Sequence, residues 1–307
     1  MEQNDTVLIT GGSGLLGYNL NIKNSFKPAK NELNLLNYED LKKYILNKNI
    51  KKIIHCAGLV GGVKANTDLI YDFFSKNLII NLNILEACKE FNLDKSIFIL
   101  STCVFPGSGP YPVCENDLHN GEPHITNYGY AYAKRMLEVG SRTLYQQYNI
   151  KTKCIIPCNF YGPNDNHNLE YGHVIPSLIY KCYLAKNNKE DFIVWGSGNP
   201  QREFIYVKDL AKIIEKIHEN ENFYPDKIII SSGKEYSIKQ IAKLIAEKMN
   251  YNGKIIFDKT KPDGIIKKNS NNTIFENNFK KFQWTNIEDG IDESIKYFLS
   301  NYPNIRK

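Results

Sequence analysis

The sequence predicts an α/β fold, a doubly wound parallel sheet followed by a smaller C-terminal α/β lobe. Three observations carry that expectation. Short β-branched runs alternate with helical patterns through the first 160 residues, glycines at 11, 14 and 17 separate the first run from the first helix, and the texture changes after Tyr161-Gly162-Pro163. Alternating strands and helices imply parallel strands joined by right-handed crossovers, with helices on both faces.

In chain order, Thr6 to Thr10 reads as a buried strand that Gly11-Gly12-Ser13-Gly14 breaks, and Leu15 to Asn24 reads as a helix. Lys51 to His55, Ser96 to Leu100 and Cys154 to Pro157 are further strands; Ala57-Gly58 and Ser101-Thr102 end the first two. Helical patterns cover Tyr38 to Leu46 and Asn77 to Phe91, the latter with Leu82, Ile84, Leu85 and Cys88 on one side. Past Tyr161, a polar loop over residues 164–172 precedes a helix from His173 to Ala185. Ile193-Val194-Trp195 and Ile228-Ile229-Ile230 look like short strands, and Ser237 to Met249 and Ile287 to Leu299 look like helices. The domain expectation is a nucleotide-binding unit over 1–160, completed by elements from about 192–230, and a substrate lobe over 161–307.

The bulk numbers set limits. A chain of 307 residues with 42% hydrophobic and 23% charged residues is an ordinary globular composition. The net charge of +6 comes from lysines scattered along the whole chain, which points to a solvated surface and anionic small substrates, not to nucleic acid. The seven cysteines form no CxxC pair, so neither a disulfide framework nor a structural metal site is expected. No leader opens the sequence and no apolar run spans a bilayer, which suggests a cytoplasmic protein with no membrane partner.

Glycines at a strand-to-helix turn permit a tight reversal and let a pyrophosphate approach unpaired helix N–H groups. Gly11, Ser13, Gly14, Leu15, Leu16 and Gly17 are therefore candidates for holding a dinucleotide in a Rossmann-type unit, with Ala57 and Gly58 at the end of a neighbouring strand. The stretch Phe26-Lys27-Pro28-Ala29-Lys30-Asn31 lacks the carboxylate that would bind an NAD ribose. Lys30, with Lys27, instead suits a 2′-phosphate, so NADP(H) is expected. Ordinary loop lysines are the plain alternative.

Tyr130 and Lys134 are four residues apart and share a helical face. An ammonium beside a phenol lowers its pKa, and such a tyrosine can protonate a carbonyl oxygen as hydride reaches the carbon. Ser101, at the carboxyl edge of the sheet, can polarise the same oxygen. Tyr128 and Tyr132 have no Lys at plus four.

This set resembles the extended short-chain dehydrogenase/reductase family, and within it the GDP-L-fucose synthase branch. The segments that carry the likeness are Asn31 to Leu36, Val60-Gly61-Gly62-Val63, Ser101 to Pro106, Asn159 to Pro163, His173-Val174-Ile175-Pro176, Trp195-Gly196-Ser197-Gly198, Arg202-Glu203-Phe204 and Lys261-Pro262-Asp263-Gly264. The resemblance implies an NADP-dependent oxidoreductase acting on a GDP-linked 4-keto sugar, by 3,5-epimerisation and then C4 reduction. It implies Ser101, Tyr130 and Lys134 at the reduction centre, with Cys103 as base and His173 as acid. Pro157, Asn159 and His173 join Tyr130 and Lys134 beside the cofactor. Ser101, Cys103, Asn159, Val174, Lys181, Trp195, Arg202 and Lys268 line the substrate site. Lys181 stands where the branch has Arg, and Ser13 where it has a basic residue. A homodimer through the helices around 77–91 and 130–148 is implied, as is a role in making surface-glycan precursors. Two other readings stay open: a C4 reductase acting on an already epimerised GDP-4-keto-heptose or 6-deoxyheptose, and a non-catalytic dinucleotide sensor.

Overall fold

The computed structural model describes residues 5–109, 111–220, 224–261 and 263–307; Pro262 of the Lys261–Gly264 segment lies outside them. Along the first half come β1 Val7–Thr10, α1 Leu15–Asn19, β2 Ser25–Phe26, α2 Tyr38–Lys48, β3 Lys52–His55, α3 Val63–Asp68, α4 Ile70–Glu90, β4 Ser96–Ile99, α5 Tyr128–Tyr148 and β5 Thr152–Pro157. The second half holds β6 Asn159–Tyr161, α6 Val174–Asn188, β7 Phe192–Trp195, β8 Gln201–Tyr206, α7 Val207–Glu219, β9 Lys227–Ile230, β10 Glu235–Ser237, α8 Ile238–Lys248, β11 Ile255–Asp258, β12 Lys267–Lys268, α9 Thr273–Asn278 and α10 Ile287–Asn301.

Six parallel strands form the central sheet in the order β2-β1-β3-β4-β5-β9. Side chains alternate between its faces. Leu8, Ile53, Phe98, Ile156 and Ile229 pack under α2, α4 and α5, whereas Ile9, Ile54, Ile97, Ile155 and Ile228 pack under α1, α7 and α9. Each such burial contributes about 1.5–3 kcal/mol, so both helical layers are held by the same strands. A third core belongs to the smaller lobe, where α6, α8 and α10 cover β7 and β8. There β8 pairs with β6, β10 and β12, and β7 pairs with β11.

Several boundaries differ from the sequence expectation for local reasons. The first helix ends at Asn19, whose side-chain amide donates back to the Leu15 carbonyl, and Leu20 is extended. The helix expected from Asn77 begins at Ile70. Leu82, expected on its buried side, is 53% exposed. Ile228 to Ile230 join the central sheet beside β5, whereas Phe192 to Trp195 stay in the lobe. Lys268 is held in β12 against Arg202 of β8.

One buried polar chain crosses the sheet. The Ala57 N–H donates to Thr10 Oγ1 at 3.2 Å, and Thr10 Oγ1 lies 2.8 Å from His55 Nδ1. His55 Nε2 lies 3.1 Å from Asn81 Oδ1, and the Asn81 amide donates to the Ala133 carbonyl at 2.9 Å. A carboxamide oxygen can only accept, so His55 Nε2 carries the proton and Nδ1 accepts from the Thr10 hydroxyl. Burial, with Lys134 nearby, lowers the His55 pKa to about 3 although the Asn81 bond opposes it. The unfolded chain therefore binds a proton at this residue between pH 6.5 and about 3 that the folded chain refuses, and stability falls as pH drops through that window. Each pH unit of that window is worth ~1.4 kcal/mol at most. Urea midpoints measured across the window should fall more steeply for the wild type than for His55→Gln; equal slopes would remove His55 from the account.

Candidate active site

The first loop at the carboxyl edge of the sheet is the glycine turn. Gly11 has φ +68°, and a Cβ on it would lie 2.9 Å from the Ala57 backbone. A Cβ on Gly17 would lie 2.3 Å from the Gly11 carbonyl, so only glycine lets α1 pack this closely. The N-terminus of α1 has no side-chain cap at Gly14, and a Cβ there would meet only the Gly11 carbonyl, at 3.1 Å. The Gly14 N–H is spent on the Gly11 carbonyl at 2.8 Å, but Ser13 just before the helix and Leu15 and Leu16 in its first turn meet no side-chain cap, and the space before them fits a dinucleotide pyrophosphate. Ala57 and Gly58 border the turn. Lys30 is exposed just beyond β2. Lys27 is engaged elsewhere: its ammonium bonds the carbonyls of Leu20 and Tyr18 at the end of α1.

The second loop carries Ser101 and Cys103, and α5 fastens it on both sides. Lys134 Nζ donates to the Ile99 carbonyl at 2.9 Å, and Arg135 Nε donates to the Val104 carbonyl at 2.7 Å. Inside this bracket Ser101 Oγ accepts the Cys103 N–H at 3.3 Å and caps a single helical turn over Thr102–Val104. Tyr130, one turn before Lys134, is half-buried with its ring edge-on to Phe73 at 6.4 Å. Its phenol departs from the expectation. Burial, with Cys103 adding, pushes its pKa up, while the Lys134 ammonium that should lower it is turned onto Ile99. Burial brings Lys134 itself down to about 8, against the opposing pull of Cys56 and Cys154.

Cys103 also lies within electrostatic reach of Arg202 and Lys268, which face each other across β8 and β12. His124 joins them. Its segment is stapled to the Cys103 loop by the Gly107 N–H to Glu122 carbonyl bond at 2.8 Å, and burial, then Lys268 and Arg202, lowers its pKa. The buried Glu203 fixes this wall by accepting the hydroxyls of Ser231 and Ser270, each at 2.7 Å, while its carbonyl accepts the Asn159 amide at 3.1 Å. Asn159 lies on β6, two residues past Pro157 at the end of β5.

His173 stands immediately before α6, with Val174 as the first helical residue. Gly172 presses against Gly62, where a Cβ would be 2.5 Å from the Gly172 carbonyl. The link from Tyr130 to this wall runs through Phe73 and Gly61, because a Cβ on Gly61 would lie 3.5 Å from the Phe73 ring and 2.9 Å from the Tyr171 carbonyl. His173 Nδ1 lies 3.0 Å from Asp165 Oδ1. Farther into the lobe, the Lys181 ammonium sits 4.0 Å from the Trp195 ring centre and that of Lys261 5.5 Å. Burial lowers the Lys181 pKa to about 8, with Glu170 opposing and Lys261 assisting. Trp195, expected to line the substrate site, therefore carries two ammonium groups. Gly264 approaches Arg202, whose Nη2 would be 3.6 Å from a Cβ on that glycine.

Tyr130, Ser101, Cys103, Arg202 and Lys268 thus form one group, Lys181 and Trp195 a second, and His173 flanks the first across the Val60–Val63 loop. Sequence reasoning missed Asp165, His124, Arg135 and, as an individual residue, Lys261. Asp165 lies next to the Asn159–Pro163 segment and Arg135 next to Lys134, so proximity was the only available signal. Among the described residues no group of His, Cys, Asp and Glu is arranged to hold a metal ion, and no helix is long and apolar enough to cross a membrane.

Comparison with known proteins identifies the family. The profile of the NAD dependent epimerase/dehydratase family matches residues 7–231. The GDP-L-fucose synthase of Dictyostelium discoideum is 40% identical over 98% of this chain and 98% of its own length. The GDP-L-colitose synthase of Yersinia pseudotuberculosis is 33% identical over 97% and 99%. The crystal structure of a GDP-L-fucose synthetase from Naegleria fowleri bound to NADP superposes with a TM-score of 0.90 at 36% identity, covering 100% of this chain and 96% of that one. A match over most of the central sheet, with relatives alignable end to end, makes this chain a member of the NAD-dependent epimerase/dehydratase family, the extended short-chain dehydrogenases/reductases.

Proposed function

We propose that this protein is an NADPH-dependent epimerase/reductase that converts GDP-4-keto-6-deoxymannose to GDP-L-fucose. The observation that carries the reading is the bracketed Ser101–Cys103 turn, held by Lys134 and Arg135 against Tyr130 and facing Arg202 and Lys268. Its relatives named GDP-L-fucose synthase and the NADP-bound structure support the substrate and the cofactor.

The glycine turn from Gly11 to Gly17 would hold the cofactor pyrophosphate, with Ser13, Leu15 and Leu16 offering N–H groups and Lys30 the 2′-phosphate. Ala57, Gly58, Pro157, Asn159, Lys134 and His173 would border the rest of it. Bound there, NADPH supplies the hydride for C4. Ser101 binds the C4 oxygen, and Tyr130, kept protonated by burial, donates the proton that completes the hydroxyl. Lys134 positions α5 and the nicotinamide ribose. Before reduction, the Cys103 thiolate takes the proton from C3 or C5, whose acidity the 4-keto group provides, and His173 returns one on the opposite face. Arg202, Lys268, Lys181 and Lys261 meet the diphosphate, and Trp195 and Val174 shape the nucleotide end.

The outer face of α4 and α5 exposes Tyr71, Ile79, Leu82, Met136, Tyr145 and Tyr148, an apolar surface suited to a homodimer. Seven unpaired cysteines suit a reducing cytoplasm, and a GDP-sugar product suits surface-glycan synthesis.

The deciding measurement is NMR in deuterated water. Deuterium should enter C3 and C5 without NADPH, and GDP-L-fucose should form once NADPH is added. Tyr130→Phe should lower reduction by about 10²–10⁴-fold while exchange continues. Cys103→Ser should abolish exchange and still reduce an epimerised ketone. Reduction by the wild type with no exchange would identify a C4 reductase, to be tried next on 4-keto heptoses. Because Lys181 loses its charge as pH rises through about 8, kcat/KM should decline above that pH, and Lys181→Arg should lessen the decline. Leu82→Lys should convert dimers to monomers in sedimentation velocity; an unchanged mass would move the interface elsewhere.

A further inference from the structure

The reaction as derived uses the His173 ring and leaves aside the carboxylate behind it. Asp165 is 1% exposed. Its Oδ1 lies 3.0 Å from His173 Nδ1 and accepts the Asn166 N–H at 2.7 Å, while Oδ2 is buried without a hydrogen-bond partner. A buried carboxylate with so few donors is costly unless a cation stands beside it.

The segment that carries it is tied on every side. Asn164 donates from its amide to the Ser13 carbonyl at 2.9 Å, and Asn19 likewise to the Pro163 carbonyl at 3.0 Å. Arg306 Nη1 donates to the Asn164 carbonyl at 3.2 Å, and the His167 N–H donates to the Arg306 carbonyl at 2.9 Å. His167 Nδ1 lies 3.0 Å from the Asp165 carbonyl. These bonds place Asp165 independently of α6, so its approach to His173 is built by the loop.

We propose that Asp165 is a positioning residue for epimerisation: by holding Nδ1–H of His173, it fixes the ring and leaves Nε2 to deliver the proton to the sugar carbon. This rests on the epimerase/reductase reading above. In the step, the Cys103 thiolate removes the C–H proton and becomes a thiol, and the electron pair passes onto the 4-keto oxygen as an enolate. The enolate carbon then takes the Nε2 proton of the His173 imidazolium, which becomes a neutral imidazole with its Nδ1–H on Asp165; solvent reprotonates Nε2 and takes the proton from the Cys103 thiol. The groups facing this pair are Arg306, whose charge disfavours the imidazolium, and His167, whose own pKa burial lowers. Burial also works against that charge, yet the Asp165 carboxylate prevails and the His173 pKa is raised. His173 therefore keeps its proton to higher pH than a free imidazole, and its use as an acid is lost only as pH rises through that raised value.

The test compares wild type, Asp165→Asn and Asp165→Glu. Without NADPH, deuterium uptake at C3 and C5 is followed against pH. With NADPH, reduction of an already epimerised 4-keto sugar is timed. In Asp165→Asn exchange should fall about a hundredfold, reduction less than threefold, and the alkaline limb of the exchange profile should move to lower pH. Asp165→Glu should recover part of the exchange. Nitrogen-15 NMR of the His173 ring, in the protein without substrate, should show titration at lower pH and a mixed tautomer in Asp165→Asn. Exchange at the wild-type rate with an unmoved ring titration would overturn the proposal, and so would equal losses of exchange, reduction and thermal stability. If the wild type itself exchanges no deuterium, the substrate reading fails, and the ring titration alone still decides the role of Asp165.

Discussion

The central strands have no solvent face. Val7 to Thr10, Lys52 to His55, Ser96 to Ile99 and Thr152 to Pro157 are buried throughout, and their backbone donors and acceptors are spent on one another. Helices must therefore cover both sides, and chemistry is left to the loops at the strand ends. Gly11, Ala57, Ser101 and Asn159 all follow carboxyl ends of adjacent strands, and β1 lies where the order reverses between β2 and β3. The place of the pocket follows from the burial of the sheet.

Helix α5 turns that position into geometry. Consecutive cations, Lys134 and Arg135, reach carbonyls on either side of Ser101 and Cys103, while Asn81 of α4 holds the Ala133 carbonyl from the opposite side. The helix cannot slide along its axis without breaking all three bonds, so Tyr130 keeps its height above the sheet. The lobe is attached by a different device. Glu203 gathers Ser231 and Ser270, and Asn164 joins the lobe-side loop to the glycine turn at Ser13. Both walls of the pocket are thereby referred to the same strand ends.

Local pattern made most of the fold legible. Unbroken runs such as Val7-Leu8-Ile9 and Ile228-Ile229-Ile230 mark buried strands, and the glycine spacing with the Tyr130–Lys134 pair marks the dinucleotide unit and the helix proposed for catalysis. Partnership between distant segments was not legible. Asp165 meets His173 only because residues 162–167 are tied to Ser13 and Arg306, and Lys261 meets Trp195 only because the loop after β11 folds back. The same limit explains Tyr130: spacing places an ammonium on the face of the phenol but does not reveal that the Ile99 carbonyl will take it. Leu82 was misplaced because an apolar residue on a helix does not say whether its own core or another surface will cover it.

The packing also sorts the thiols. Burial lifts Cys56, Cys88, Cys154 and Cys182 to about 12, and Cys158 well above its ordinary value. Since only the thiolate is a nucleophile, these five sulfurs are chemically silent at neutral pH. Cys103 and Cys114 are half-buried, as is Cys56. An alkylating agent or peroxide arriving from solvent therefore finds most of the seven free sulfhydryls unreactive. Removing Cys56 and Cys114 would leave Cys103 as the one half-buried thiol, a single point for a covalent label, a spin probe or a fluorophore.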